Sequence, residues 1–273
     1  MSSNIGAKEV VDLLKEEFKV LVEFLGELNH DEFNLATDCP GWTVKDNVSH
    51  LLGIEEMLLG VEPTKHVAKN SSWVKNPMGE LNENRVDSLR KTPAKEVVSL
   101  FESAIKTRLA NLEAMNPVDF QAETMTPTGP GTTLDLLEIR ILDLYVHEQD
   151  MRRATKKPGH QGGPVVESVI NRLLLPMPMV FSKRAKASDG ETLLIVLKPP
   201  VEKKSIIVVQ DHHGKFEDSA SSFTVEMVSE PDAFIELTCG RTPVKDLLAS
   251  RRIEIKGSVE LGLSFLENSI IMI

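Results

Sequence analysis

The chain has 273 residues but only two cysteines, Cys39 and Cys239, far apart in sequence. Two thiols make no disulfide framework, and a reducing compartment fits them. Basic residues are in the minority. Lys and Arg number 31 against 41 Asp and Glu, a formal net charge of -10. That balance excludes nucleic acid as a default partner, because phosphate binding needs a basic face. No apolar run reads as the roughly 20 residues needed to span a bilayer. The opening stretch, MSSNIGAKEVVDLLKEE, is acidic and has no apolar signal core. The expectation is a cytoplasmic protein with no membrane partner. No internal repeat or low-complexity tract is present. What remains is 41% hydrophobic and 26% charged, ordinary for a globular chain long enough for two domains.

The first part of the chain reads as helices. Val11, Leu14, Phe18, Leu21 and Leu25 recur at spacings of three and four between Val10 and Leu28. Thr43 followed by Asp46 is a capping-box start, with Asp in place of the usual Glu or Gln. The helix that it opens runs to about Gly60, with Val44, Val48, Leu51, Leu52 and Met57 or Leu58 as its buried stripe and His50 beside it. Val61 to Pro77 reads as a long loop carrying Trp73, a packing anchor or a substrate lid. Met78 to Lys91 forms a short helix. Thr92 then acts as an N-cap with Pro93 at the first helical position. That helix carries Val97, Leu100, Phe101, Ile105, Leu109 and Leu112 and ends near Asn116. Pro117 to Gly131 reads as a loop. Thr132 with Asp135 repeats the capping pattern and opens a helix with a broad apolar arc, which places it centrally in a bundle.

Thr155 to Gly163 (TKKPGHQGG) is a linker by composition, and Pro164 opens a helix to about Leu175, which Pro176 and Pro178 interrupt. From Asp189 the pattern changes to short β-branched runs. Glu191–Leu197, Ser205–Asp211, Phe223–Val228, Ala233–Cys239 and Ile253–Lys256 read as strands, His212-His213-Gly214 as a hairpin turn, and Thr242–Ala249 and Val259–Leu266 as helices. The expected fold class is α+β. A helical bundle occupies residues 1–158 and a small α+β domain residues 159–273.

Histidine is scarce, and of seven only His50 and His147 lie on strongly apolar helices. Asp143 and His147 are four residues apart, so a carboxylate and an imidazole share one helix face. Together with His50 they make a candidate set of metal ligands. The spacing reads equally as a buried Asp–His hydrogen bond, or as a surface contact between Asp143 and Arg140. Asp150, one turn beyond His147, reads as a group supporting the ligands or as a salt-bridge partner of Arg153 or Arg140. Glu148 is expected in solvent, and Cys39, before Pro40, is expected to be packed.

The segments CPGWTVKDNVSHLLGIE and DLYVHEQDMRRA resemble the paired signatures of the mycothiol-dependent maleylpyruvate isomerase family, within the DinB-like superfamily. ELNENRVDSLRKTPAKEVV is similar to that family's Asn-containing segment. The likeness spans about the first 155 residues. LTCGRTPVKDLL and IEIKGSVELG more loosely resemble the family's sterol-carrier-like C-terminal domain. The resemblance implies a DinB-like four-helix bundle with a divalent metal, most simply zinc, on His50, Asp143 and His147. Asp143 stands where the family pattern has Glu, one methylene longer. The resemblance also implies a catalytic arginine from the C-terminal domain, for which Arg241 is the candidate, with Arg85 and Arg90 behind it.

The expected function is that of a metal-dependent enzyme using a low-molecular-weight thiol, an S-transferase or a cis–trans isomerase. Its partners would be the thiol and a small electrophilic or acidic substrate. The chain is rich in Lys and Asn and poor in Tyr and Trp, unlike many proteins of mycothiol users, so the thiol is mycothiol or an equivalent. The alternative is a non-catalytic small-ligand binding protein whose metal is structural or vestigial.

Overall fold

The computed structural model describes residues 6–69 and 71–271. Residues 1–5 of the acidic opening stretch, Asn70 in the long loop, and residues 272–273 lie outside that description. The chain divides into two compact units, with the change between Gly159 and His160.

The first unit is a bundle of four long helices: α1 (Ala7–Gly26), α2 (Val44–Leu58), α4 (Ala94–Ala114) and α5 (Thr133–Thr155), with the shorter α3 (Pro77–Ser88) packed on α2. Their starts follow from the capping residues. Thr43 accepts from the Asp46 N–H while Asp46 accepts from the Thr43 N–H, and Thr132 and Asp135 do the same for α5. Each box satisfies two backbone donors that a helix N-terminus otherwise leaves open, worth about 0.5–2 kcal/mol. α1 buries all five of its expected apolar residues. α5 is buried along most of its length from Leu137 to Met151, which makes it the central helix. It stops at Lys156, which turns left-handed at φ 56, and the Lys157 N–H returns to Arg152 O at 3.0 Å.

Some expectations are corrected. Met57 and Leu100 are exposed rather than part of the buried stripes, and in α2 it is Glu55 that faces inward. Pro93 itself caps α4, with no side-chain bond, and Thr92 lies one residue outside. The stretch 117–131 is not a plain loop: β1 (Glu123–Thr126) and β2 (Gly129–Thr132) pair as an antiparallel hairpin that leads into α5.

The second unit opens with α6 (Pro164–Leu174), a short turn α7 (Met177–Met179), and a π-type turn over Val180–Arg184. The run Pro164–Arg184 is long and apolar enough to cross a bilayer by length and composition, contrary to the reading that no such run exists. Most of it is buried inside this unit, as a core helix would be. A five-stranded sheet follows, in the order β5-β4-β3-β6-β7. It comprises β3 (Thr192–Leu197), β4 (Lys203–Gln210), β5 (His213–Glu217), β6 (Val225–Ser229) and β7 (Ile253–Gly257). β3 and β6 run parallel; the other pairs are antiparallel. Leu193, Ile195 and Leu197 alternate inward on β3, as do Val225 and Met227 on β6. Asp211 and His212 take positive φ between β4 and β5, the tight hairpin turn expected there. α8 (Pro231–Thr238), α9 (Val244–Ala249) and α10 (Val259–Asn268) complete the unit.

Ala233–Cys239, expected as a strand, folds as most of α8. Pro231 at the first helical position and Asp232 in the first turn start it. Because Ala233 to Thr238 are all buried, the run shows no amphipathic period that would separate helix from strand. Neither cysteine is in a disulfide, and both are buried.

Candidate metal centre

α2 and α5 pack against each other and bring His50, Asp143 and His147 together. One ligand atom from each lies within 4.8 Å of the others. The Nε2 atoms of His50 and His147 are each 3.5 Å from the same oxygen, Asp143 Oδ1. Tetrahedral ligands held at about 2.0–2.1 Å from a zinc ion stand about 3.3 Å apart. Two imidazole nitrogens and a carboxylate oxygen at this separation therefore fit a divalent ion of that size.

The tautomer of His147 follows from its surroundings. Asn47, fully buried on α2, donates both amide hydrogens, to Thr37 Oγ1 and Thr43 O, each at 2.9 Å. Its Oδ1 can then only accept, and it lies 2.9 Å from His147 Nδ1. Asp150 Oδ2 accepts from the same nitrogen at 3.3 Å. His147 therefore carries hydrogen on Nδ1 and presents Nε2 to Asp143. This is the arrangement that outer hydrogen bonds impose on ligating histidines. His50 Nδ1 is buried and has no hydrogen-bond partner.

Arg140 holds Asp143 in place. Its guanidinium contacts Asp143 Oδ2, donates to Glu55 Oε1 at 2.7 Å and to Leu51 O at 3.0 Å. One carboxylate oxygen of Asp143 is thus committed to Arg140, and Oδ1 is the one facing the imidazoles. Burial alone would raise the Asp143 carboxyl. The charges and hydrogen bonds of His50, His147 and Arg140 outweigh it and hold that group well below the usual carboxylate range. His50 is lowered, by burial first, against a partial pull from Asp143. His147 goes the other way: burial lowers it, but the Cys39 sulfur, Asp143 and Asp150 together keep it well above 6.5.

The turn before α2 covers the cluster. The Trp42 ring lies 5.1 Å from the His50 ring and 6.0 Å from the His147 ring, centre to centre. Its Nε1 donates to Glu83 Oε2 at 2.8 Å, and Trp73 Nε1 donates to the same oxygen at 3.1 Å. Trp73 is therefore a packing anchor, laid across Gly41. That glycine has φ +78, and a Cβ there would sit 2.5 Å from the Trp73 ring. On the other side a cavity of about 300 Å³ opens between α2, α3 and the segment Val61–Thr64, with His50 in its wall.

Comparison with known proteins follows the same lines. The model of the mycothiol maleylpyruvate isomerase N-terminal domain matches residues 14–152, half of the chain. The chain belongs to that family. No curated protein matches it. The crystal structure of the mycothiol-dependent maleylpyruvate isomerase is similar at a TM-score of 0.59 and 14% identity, over 94% of this chain and 96% of that one. A histidine-to-alanine mutant of that isomerase is similar at a TM-score of 0.57 and 14% identity, over the same shares. Sterol carrier protein 2 from Yarrowia lipolytica matches 38% of this chain at a TM-score of 0.29 and 13% identity, over 91% of its own length. At 14% identity the likeness to the isomerase structures is one of fold.

Glu148 is not solvated: it is fully buried and pairs with Arg152 Nε at 2.5 Å. Asp150 combines the two roles open to it, supporting His147 and pairing with Arg153. Arg140 is a buried partner of Asp143 rather than a surface one. Cys39 is packed, its thiol 3.2 Å from Asp150 Oδ2 and 3.7 Å from His147 Nδ1. Cys39, His147 and Asp150 form a second possible ligand set, but it needs the His147 nitrogen whose hydrogen Asn47 and Asp150 already accept. Arg85 pairs with Glu56 at 2.6 Å, and Arg90 with Glu83 at 2.9 Å and Asp87 at 3.3 Å. Arg241 follows the end of α8, not a strand, and donates to Cys239 O at 2.9 Å. Asn47, Trp42 and Glu83 escaped sequence reasoning, although Asn47 sits one turn before His50 in the quoted motif.

Proposed function

We propose that this protein is a metal-dependent enzyme that joins a low-molecular-weight thiol to a small electrophile, as an S-transferase or as an isomerase acting through reversible thiol addition. The observation that supports it is the convergence of His50 Nε2, His147 Nε2 and Asp143 Oδ1 beside a cavity walled in part by His50. Zinc is the ion chosen, because mixed nitrogen and oxygen ligands with a coordination position left open suit it. A divalent cation held there supplies charge that keeps a bound thiol deprotonated at neutral pH.

The chain's own residues do the rest. Asn47 and Asp150 hold the His147 ring in its ligating tautomer. Arg140 ties down one oxygen of Asp143 and leaves the other facing the two rings. Trp42 roofs the cluster and excludes water from that side. In a transfer the thiol loses its proton, a sulfur–carbon bond forms, and the leaving group departs with its bonding pair. In an isomerisation the sulfur adds to a double bond and leaves again after rotation. Within the same reading Arg241 would anchor a carboxylate-bearing acceptor. The support for that is the bidentate chemistry of guanidinium and its place in the stretch that resembles the family. A cytoplasmic location belongs to the same proposal.

Metal analysis of the purified protein, beside His147→Ala, tests the reading. The expected outcome is one equivalent of divalent metal in the wild type and none in the variant, followed by metal-dependent consumption of one member of a thiol panel. Full metal occupancy in His147→Ala would place the site elsewhere. Binding must also displace the proton that His147 holds above 6.5. Affinity should therefore fall as pH drops through that raised value, and calorimetry in two buffers should show proton release.

A further inference from the structure

Part of the wall of the cavity beside His50 is a stretch of chain with no secondary structure. Val61, Glu62, Pro63 and Thr64 all line it. Residues 61–68 form neither helix nor strand, and none of them is buried. A segment with no buried side chain has little packing to lose when it lifts, so it belongs to the least stable part of a fold.

Its fastenings are few and polar. Gly60, just past α2, has φ +78, and a Cβ there would meet nothing within 4 Å. That glycine is needed for the turn of the backbone and not for a close neighbour. The Val61 N–H donates to Glu56 O at 2.9 Å. Beyond Val61, among the described residues, two contacts tie the stretch to α3. His66 Nε2 lies 2.5 Å from Asp87 Oδ2, and the Ala68 N–H donates to Asn84 Oδ1 at 2.8 Å. Asn84 and Asp87 are three residues apart, hence neighbours on the surface of α3. Asp87 is held in turn, because its Oδ1 accepts from Arg90 Nη1 at 3.3 Å.

The surface beneath the stretch is apolar. Val61, Met57, Met78 and Leu81 are each about half exposed, and all four line the cavity. Closing over a filled cavity would take apolar surface out of water that an empty one leaves wet. Trp42 covers the cluster from its other side, so this is the side from which His50 is approached.

We infer that residues 61–68 are a strap that gates the cavity beside His50. The His66–Asp87 and Ala68–Asn84 contacts clasp it to α3; it lifts to admit a ligand and settles again afterwards. That the ligand is a thiol bound to a metal rests on the reading above. The clasp holds the strap over an empty and a filled cavity alike. Loosening it therefore speeds entry and exit by the same factor and leaves the affinity where it was.

Two measurements on the full-length protein test this. The first is hydrogen exchange, followed by mass spectrometry on peptides covering residues 61–68. Exchange there should be about fivefold faster in His66→Ala/Asn84→Ala than in the wild type, the scale set by a partly exposed pair. The second uses cobalt-loaded protein and thiophenol, with binding read by stopped flow from the sulfur-to-cobalt charge-transfer band. His66→Ala, whose side chain does not line the cavity, should raise the association and dissociation rates alike, each by up to about fivefold, with the equilibrium constant unchanged. Thiophenol should also slow exchange of residues 61–68 in the cobalt-loaded wild type. Exchange that the double variant leaves unaltered would overturn the strap. So would a changed affinity in His66→Ala, which would make His66 a ligand contact and not part of a clasp. A wild type that takes up no cobalt would sink the metal-enzyme reading, and the exchange comparison would still decide whether the strap is clasped.

Discussion

The two units bury their chain on opposite terms. Among the described residues the helical unit buries Glu17, Glu55, Arg140, Glu148 and Asp150 together with His50 and His147. Among the described residues of the sheet unit Glu236 is the one charged residue buried, and the rest of the core is aliphatic, aromatic, sulfur-bearing or hydroxylic. Burying a charge costs several kcal/mol before any partner is counted. A helical bundle of this length could have been stabilised by leucines alone. The charged interior of the first unit is therefore organised around a task, and that of the second around packing.

The sharpest way to break this comparison is Arg140→Met. It leaves Glu55 and Asp143 without their shared cation, although Arg108 still reaches Glu55 at 3.2 Å. A loss of about 3–5 kcal/mol is expected, because an uncompensated buried charge remains. Thermal unfolding should show it as a fall of about 6–20 °C in Tm. A fall within the noise of the measurement would mean that these charges are not coupled as described.

Asp150→Asn comes next. It keeps the shape and removes the charge that helps hold the His147 Nδ1 hydrogen. Zinc affinity should weaken about 10–100-fold, as for other outer partners of ligating histidines. Competition with a chromogenic chelator measures it; unchanged affinity would leave Asn47 as the residue that orients the ring.

Glu17 gives a pH test. Burial first, then the charge and hydrogen bond of Glu148, hold its carboxyl well above 4.5. The folded chain thus keeps a proton that the unfolded chain gives up near 4.5. Stability from this group is full below 4.5 and declines as pH rises through the raised folded value. Glu17→Gln removes the decline, so the variant should unfold a few degrees higher than wild type at pH 8, with the gap closing toward pH 4.5. A constant gap across that range would show that Glu17 does not titrate there.

The counterpart in the sheet unit is Arg252, which reaches Glu230, Asp232 and Glu236 near the surface. Arg252→Met should cost about 1–3 kcal/mol, since Glu230 and Asp232 are exposed and buried Glu236 keeps a donor in Thr242 at 2.6 Å. A cost equal to that of Arg140→Met would erase the contrast between the units. The smallest effect on stability is expected of Arg241→Ala. Zinc content should be unchanged, consumption of a carboxylate-bearing electrophile should fall, and unchanged turnover would leave the sheet unit out of the mechanism.

Much of this was legible in local sequence. The paired capping residues Thr43–Asp46 and Thr132–Asp135 located both helices of the site, because a cap acts within four residues. Asp143 and His147 shared a face by helix geometry alone. The switch to β-branched runs after Asp189 announced the sheet. The misreadings were of two kinds. The α8 segment is buried on every side, so its period was silent. Glu148 looked solvent-bound because Glu17, which faces it, stands on α1 and is brought there by the packing of α1 on α5, although Arg152 lies only one turn further along its own helix.

Sequence by itself determined most of the elements, the capped starts of α2 and α5, and a carboxylate–imidazole pair one turn apart, since each depends on neighbours within a few residues. Tertiary structure alone decided that His50 meets that pair at 3.5 Å from the same oxygen. It also decided that Asn47 sets the ring's tautomer, that Arg140 lies inside, and that Arg85 is taken by Glu56. Those outcomes depend on which faces of separate helices come together. Spacing along one helix says which side chains stand side by side, and only packing between helices says what they stand against.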